Sequence, residues 1–184
     1  KYAVAYNNLG VALKEEGKLE EAESAYRQAL SLNPDDAKAH YNLGNVLWEQ
    51  GQLEEAESAY GQALSLNPDD AKAHNNLGAV LQEEGQLEEA VNAYRQALSL
   101  NPDYVDAYNN LGVALKEGGQ LEEAISAYGQ ALSLNPDYAE GYNNLGVALK
   151  EEGKLEEAIS TYRQALSLNP DYAEGYNNLG VALK

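Results

Sequence analysis

The stretch that decides the fold is Val105–Tyr138, VDAYNNLGVALKEGGQLEEAISAYGQALSLNPDY. In its first half Tyr108, Leu111, Gly112 and Leu115 fall at i, i+3, i+4 and i+7, one face of a helix. Gly119 follows where a helix would close, because glycine tolerates the left-handed conformation of such a cap. In the second half Leu121, Ala124, Tyr128, Ala131 and Leu132 repeat the helical spacing. Asn135-Pro136 ends that run, since proline cannot continue the hydrogen-bond ladder. Asp137 is then expected to cap the next helix, with Glu140 three residues on completing a capping-box pair. No segment alternates with period two, so no strand is expected.

The same unit returns along the whole chain. Leu-Asn-Pro-Asp begins at Leu32, Leu66, Leu100, Leu134 and Leu168, and Leu-Gly at Leu9, Leu43, Leu77, Leu111, Leu145 and Leu179, each series spaced by 34. Residues 1–184 therefore read as one solenoid. Its full repeats are 3–36, 37–70, 71–104, 105–138 and 139–172, and 173–184 is the first helix of a sixth. Lys1 and Tyr2 match the end of an earlier unit, so the sequence reads as a piece of a longer array. Two helices of about 13 residues cannot bury their apolar faces alone, and stacking on neighbours gives a continuous core. Gly112 and Ala124 are small where helices must approach, and Tyr128 fills the space between them.

These residues carry a resemblance. Leu111, Gly112, Ala124, Tyr128, Ala131 and Pro136, at the same offsets in five units, are similar to the tetratricopeptide repeat. The Tyr-Asn-Asn-Leu-Gly helices resemble the Asn-rich arrays of O-linked N-acetylglucosamine transferases and of bacterial repeat proteins. The resemblance implies an all-α, right-handed superhelical solenoid of antiparallel helix pairs, whose first helices line a concave groove for extended peptides or helices. It implies no activity. The family's clamp for chaperone C-termini is only partly present. Asn42 and Lys72 match it, whereas Asn7, Val11 and Asn76 do not, so chaperone tails are not expected ligands.

Composition narrows the function classes. The 12 Lys and Arg against 30 Asp and Glu give a net charge of −18. Such a field repels phosphate backbones and anionic lipid surfaces, so nucleic-acid and membrane partners are not expected and basic partners are favoured. No run approaches the length of a membrane span, and no leader is recognisable. With no Cys, thiol chemistry and Cys-ligated zinc are excluded. The composition suits the cytoplasm. Ten Glu in the pairs from Glu20-Glu21 to Glu156-Glu157, and eight more closing the first helices, are expected to align as an acidic ridge. The ridge reads as solubility and helix-dipole placement, or as a docking edge for a basic partner.

If the first helices line the groove, as the resemblance implies, positions 2, 5, 6, 9, 12 and 13 of each unit face it. Position 6 is always Asn: Asn8, Asn42, Asn76, Asn110, Asn144 and Asn178. Such a row could hold the backbone of an extended ligand, as the similar transferase arrays do. It could equally bond the neighbouring unit's backbone or be copied with the repeat. The second unit departs from the rest. Lys38, Tyr41, Asn45 and Trp48 stand on one helical stripe, and the aromatic pair is of the type enriched in binding hot spots; neutral drift would produce the same letters. Tyr104, Tyr138 and Tyr172 read as wedges between units or as ligand contacts. His40 and His74 replace the Tyr of other units and are expected at or near the core. No catalytic residue, metal site or cofactor is expected: no metalloprotease, phosphate-loop or nucleophile-elbow motif occurs.

The leading expectation is a protein- or peptide-binding scaffold. The alternatives are the substrate-recruiting arm of a larger enzyme such as a glycosyltransferase, and an engineered or structural self-assembling module. Leu179, Val181 and Leu183 keep their apolar character at the end of the sequence, which adds head-to-tail self-stacking to the expected contacts.

Overall fold

A computed structural model of the chain describes residues 2–184. The reading of Lys1 as the end of an earlier unit lies outside the described residues. Eleven α-helices and no strand occur among them: α1 (Tyr2–Glu15), α2 (Leu19–Leu32), α3 (Ala37–Glu49), α4 (Leu53–Leu66), α5 (Ala71–Glu83), α6 (Leu87–Leu100), α7 (Val105–Glu117), α8 (Leu121–Leu134), α9 (Ala139–Glu151), α10 (Leu155–Leu168) and α11 (Ala173–Ala182). The chain is an all-α helical solenoid of repeated helix pairs. It divides into two compact units, one ending at Leu100 and the other starting at Asn101.

Within each unit, three-residue turns fold α1 onto α2, α3 onto α4 and α5 onto α6, and likewise α7 onto α8 and α9 onto α10. The turns close by one device. Gly119 takes φ 74°, and the Gln120 N–H donates to the Leu115 carbonyl at 2.8 Å, satisfying a carbonyl that the helix end would leave orphaned. Gly17, Gly51, Gly85 and Gly153 sit in the same left-handed region.

The pairs are locked by a ring over a glycine. A Cβ added to Gly112 would lie 2.6 Å from Tyr128 Cε1, and one added to Gly146 the same distance from the Tyr162 ring. Any side chain there would push the two helices apart. Tyr26, Tyr60, Tyr94, Tyr128 and Tyr162 are all buried in this way, ringed by Ala22 and its equivalents. Successive first helices also approach one another, α1 to α3 to α5 in one unit and α7 to α9 to α11 in the other. The second helices show no comparable approach among the described residues. The first helices therefore form the inner, tighter side of each unit.

Helix starts depart from the sequence expectation. Asp36 and Asp70 cap α3 and α5, each Oδ1 accepting from two backbone N–H groups, those of Lys38 and Ala39 and those of Lys72 and Ala73. The residue at the start of α9 is Tyr138, with no side-chain cap, so Asp137 and Glu140 form no capping box. Tyr104 and Tyr172 likewise start α7 and α11 without a side-chain cap. A Cβ on Gly141 would come within 2.7 Å of Tyr138 Cδ1 and 3.1 Å of Leu132 Cδ2, so the Tyr138 ring and Leu132 of α8 both pack onto Gly141 of α9. Burial pushes the Tyr138 phenol up to about 12. His40 and His74 are half-buried, with Nε2 2.9 Å from the Pro34 and Pro68 carbonyls.

Candidate groove site

On α3, Tyr41, Asn45 and Trp48 share a stripe because offsets of four and three return to one helical face. That stripe borders the inner side of the first unit. It meets Lys14 from α1 and Asn76 from α5 around a cavity of about 520 Å³, which Glu49 completes. The structure thus brings together four residues expected at a site, Tyr41, Asn45, Trp48 and Asn76. It adds Lys14 and Glu49, which stand at groove positions 12 and 13 but carry no compositional oddity that would single them out. Lys38 is exposed and lies outside the lining.

The floor is held by hydrogen bonds. The Tyr60 hydroxyl donates to Asn45 Oδ1 at 2.7 Å, and Asn76 Nδ2 donates to the same oxygen at 3.0 Å and to the Tyr41 hydroxyl at 3.2 Å. Both lone pairs of Asn45 Oδ1 are thereby used, and its amide N–H groups remain as donors. The Tyr41 and Tyr60 rings lie 5.9 Å apart at 57°, a tilted aromatic pair. At the rim, Trp48 Nε1 donates to Glu83 Oε1 at 3.0 Å, and Lys14 Nζ pairs with Glu49 Oε1 at 2.8 Å. The second-unit substitutions are therefore coupled: Asn45 satisfies a buried tyrosine, and Tyr41 takes the place of an Asn in bonding Asn76.

Elsewhere the Asn rows form a ladder between repeats. Asn42 Nδ2 donates to Asn7 Oδ1 at 3.1 Å, Asn144 to Asn109 at 3.0 Å and Asn178 to Asn143 at 2.9 Å. Position 6 of one unit bonds position 5 of the preceding one, side chain to side chain rather than side chain to backbone. Asn143 is fully buried and its own amide donates to Glu174 Oε1 at 3.1 Å. Asn110 is half-buried on α7 and Asn8 is exposed on α1. A pairing at offset 35 joins adjacent columns of neighbouring units, and only a three-dimensional stack shows that the two columns meet.

The core hydroxyl meets a different end from unit to unit. In the third unit the Tyr94 hydroxyl donates to Gln82 Oε1 at 3.1 Å. In the fourth and fifth units Val113 and Val147 stand where Asn45 does, and the buried Tyr128 and Tyr162 hydroxyls have no partner among the described residues. Burial drives the Tyr162 phenol up to about 12 and that of Tyr128 higher still.

Other depressions lie away from the inner side. One of about 390 Å³ is lined by Arg27, His40, Leu43, Glu55 and Gln62 among others. Two of about 740 and 700 Å³ run along the turn edge beside Glu20, Glu21 and Glu54, Glu55. Arg27 bridges Glu23 and Glu55 across α2 and α4. Among the described residues no group of three or more His, Asp or Glu is placed to hold a metal ion, and no helix is long and apolar enough to cross a membrane.

Residues 2–144 match the family described as Cilia and flagella-associated protein 70 C-terminal domain, a tetratricopeptide family, and residues 148–184 match the TPR repeat. The chain belongs to the tetratricopeptide repeat family. Among solved structures this tetratricopeptide chain is similar to YrrB, described as a TPR protein with an unusual peptide-binding site. The identity is 27%, with 95% of this chain and 90% of that one covered and a TM-score of 0.83. MamA is 26% identical over 90% of this chain and 96% of its own, with a TM-score of 0.85. MamA from Desulfovibrio magneticus RS-1, at 24% identity and a TM-score of 0.88, covers 94% of this chain and 98% of its own, and shows the fold alone. Comparison with curated proteins gives no match.

Proposed function

We propose that this tetratricopeptide chain is a non-enzymatic protein-interaction scaffold that holds an extended peptide along its first helices, anchored in the cavity of Tyr41, Asn45 and Trp48. The observation that carries the reading is that cavity: two aromatic walls, a floor with unspent amide donors, and a position on the inner side of the unit. Buried aromatics set in a pocket are the usual seat of binding energy. The similarity to YrrB, a protein described as having a peptide-binding site, supports the class of ligand. The Asn ladder joins the reading. Each of Asn42, Asn144 and Asn178 spends one N–H on its neighbour, leaving the second N–H and the Oδ1 lone pairs for a peptide backbone. The net charge of −18 favours basic partners at long range, most at low salt.

Trp48 is the sole tryptophan, so its emission reports occupancy directly. Titration of a degenerate nonapeptide pool free of Trp should shift that emission in the wild type. The Trp48→Ala chain, followed by calorimetry, should bind at least about tenfold more weakly. Equal binding by the two chains would remove the cavity from the function.

A second reading is favoured by the surface of α11. Tyr176, Val181 and Leu183 are each more than half exposed, and a Cβ on Gly180 would meet nothing, whereas its equivalent Gly146 is covered by Tyr162. At the other end Tyr2 and Val4 are exposed as well. We propose head-to-tail stacking of copies through these faces, a heterologous contact that can run on. Sedimentation velocity should show mass rising with concentration; one monomeric species at all concentrations would refute it.

A further inference from the structure

From the charges around the cavity we infer that it selects an arginine side chain of the bound peptide, stacked on Trp48 and paired with Glu83; the inference rests on the groove reading above. Three charged groups stand at the rim. Lys14 and Glu49 neutralise each other at 2.8 Å, and Glu83 is left as a carboxylate with no cation beside it among the described residues. The local sum is one negative charge, which a single cation balances. Glu83 is also held in place: Trp48 Nε1 donates to its Oε1 at 3.0 Å, fixing the carboxylate at the edge of the indole while Oε2 stays open.

A group lying over the indole face therefore meets a carboxylate already oriented at the ring's rim. Guanidinium suits that arrangement better than ammonium. It is flat and weakly hydrated, stacks on aromatic faces, and carries N–H groups in its plane for the carboxylate. The half-buried Tyr41 gives the aliphatic stem an apolar wall. The amide N–H groups of Asn45, unspent on the floor, would take the carbonyl of the residue that carries the arginine. A neutral apolar side chain would fill the cavity and leave Glu83 unbalanced.

The test uses nonapeptide pools with four degenerate positions on each side of a fixed centre, which is arginine, citrulline or leucine. Citrulline keeps the shape and loses the charge. Trp48 emission is read up to millimolar peptide, for wild type and Glu83→Gln. The amide oxygen of the new Gln can still accept from Trp48 Nε1, so the ring stays placed, and unchanged circular dichroism checks the fold. In the wild type the arginine pool should bind about tenfold more tightly than the citrulline pool. In Glu83→Gln that ratio should fall at least about threefold, the part left being the stacking on Trp48, with the leucine pool unaffected. Pools that bind equally whatever their centre overturn the arginine assignment and leave the peptide reading standing. An arginine preference undiminished in Glu83→Gln, or a leucine pool that binds best, overturns it too. No binding by any pool overturns both.

Discussion

At the scale of single residues, one hydroxyl separates the second unit from the fourth and fifth. Tyr60 spends its proton on Asn45, whereas Tyr128 and Tyr162 are buried with theirs unspent. A buried polar group without a partner costs stability, and removing it can be neutral or better. Tyr128→Phe should therefore leave the urea midpoint unchanged or raise it, and Tyr60→Phe should lower stability by about 1 kcal/mol. Equal losses at the two sites would mean that something unseen bonds Tyr128. The core tyrosine itself is legible in the sequence from its place in every unit. The fate of its hydroxyl is not, because that depends on which side chain of the preceding helix leans over it. The same limit hides Lys14 and Glu49: both stand at groove positions, but nothing in their letters says that they close a cavity with Trp48.

At the scale of elements, the helix pair is set by a glycine that must be small and one that need not be. Gly112 lies beneath the Tyr128 ring with no room for a Cβ, whereas Gly61 on α4 has open space around it. Gly112→Ala should cost about 1–3 kcal/mol through overpacking, even though alanine is the better helix former. Gly61→Ala should add about 1 kcal/mol. Thermal or urea unfolding of the two variants checks the pair, and a gain at Gly112 would contradict the ring-over-glycine lock. Periodicity makes these helices legible down to the turn glycines. It misleads at the start of α9, because Asp137 and Glu140 have the right spacing for a cap but the helix starts at Tyr138, whose ring packs onto Gly141 and makes no cap bond.

At the scale of the whole molecule, the buried core tyrosines tie stability to alkaline pH. Burial raises the phenols of four of them, Tyr26 and Tyr162 to about 12 and Tyr60 and Tyr128 further, against about 10 in an unfolded chain. The folded chain thus holds protons that the unfolded chain has lost. The stability from neutral phenols is complete below about pH 10 and falls as pH rises towards 12 and above. Unfolding free energy should be flat from about pH 8 to 9.5 and drop steeply from about 10 to 12. Absorbance at 295 nm should show exposed tyrosines titrating near 10 and the buried set appearing only with loss of helix. Titration of all fourteen tyrosines in one step near 10 would contradict the burial.

The repeat period makes the solenoid legible at this scale. It cannot show which columns of Asn face each other, since that follows from how one pair rests on the next. The proposed peptide site lies along the first helices, and amide and indole resonances report on it directly. In a nitrogen-15 correlation spectrum titrated with the degenerate peptide pool, the largest shifts should fall at the Trp48 indole N–H and the Asn45 side-chain amide. Shifts confined to Arg27, Gln62 and the second helices, with Trp48 and Asn45 unmoved, would contradict the proposed site.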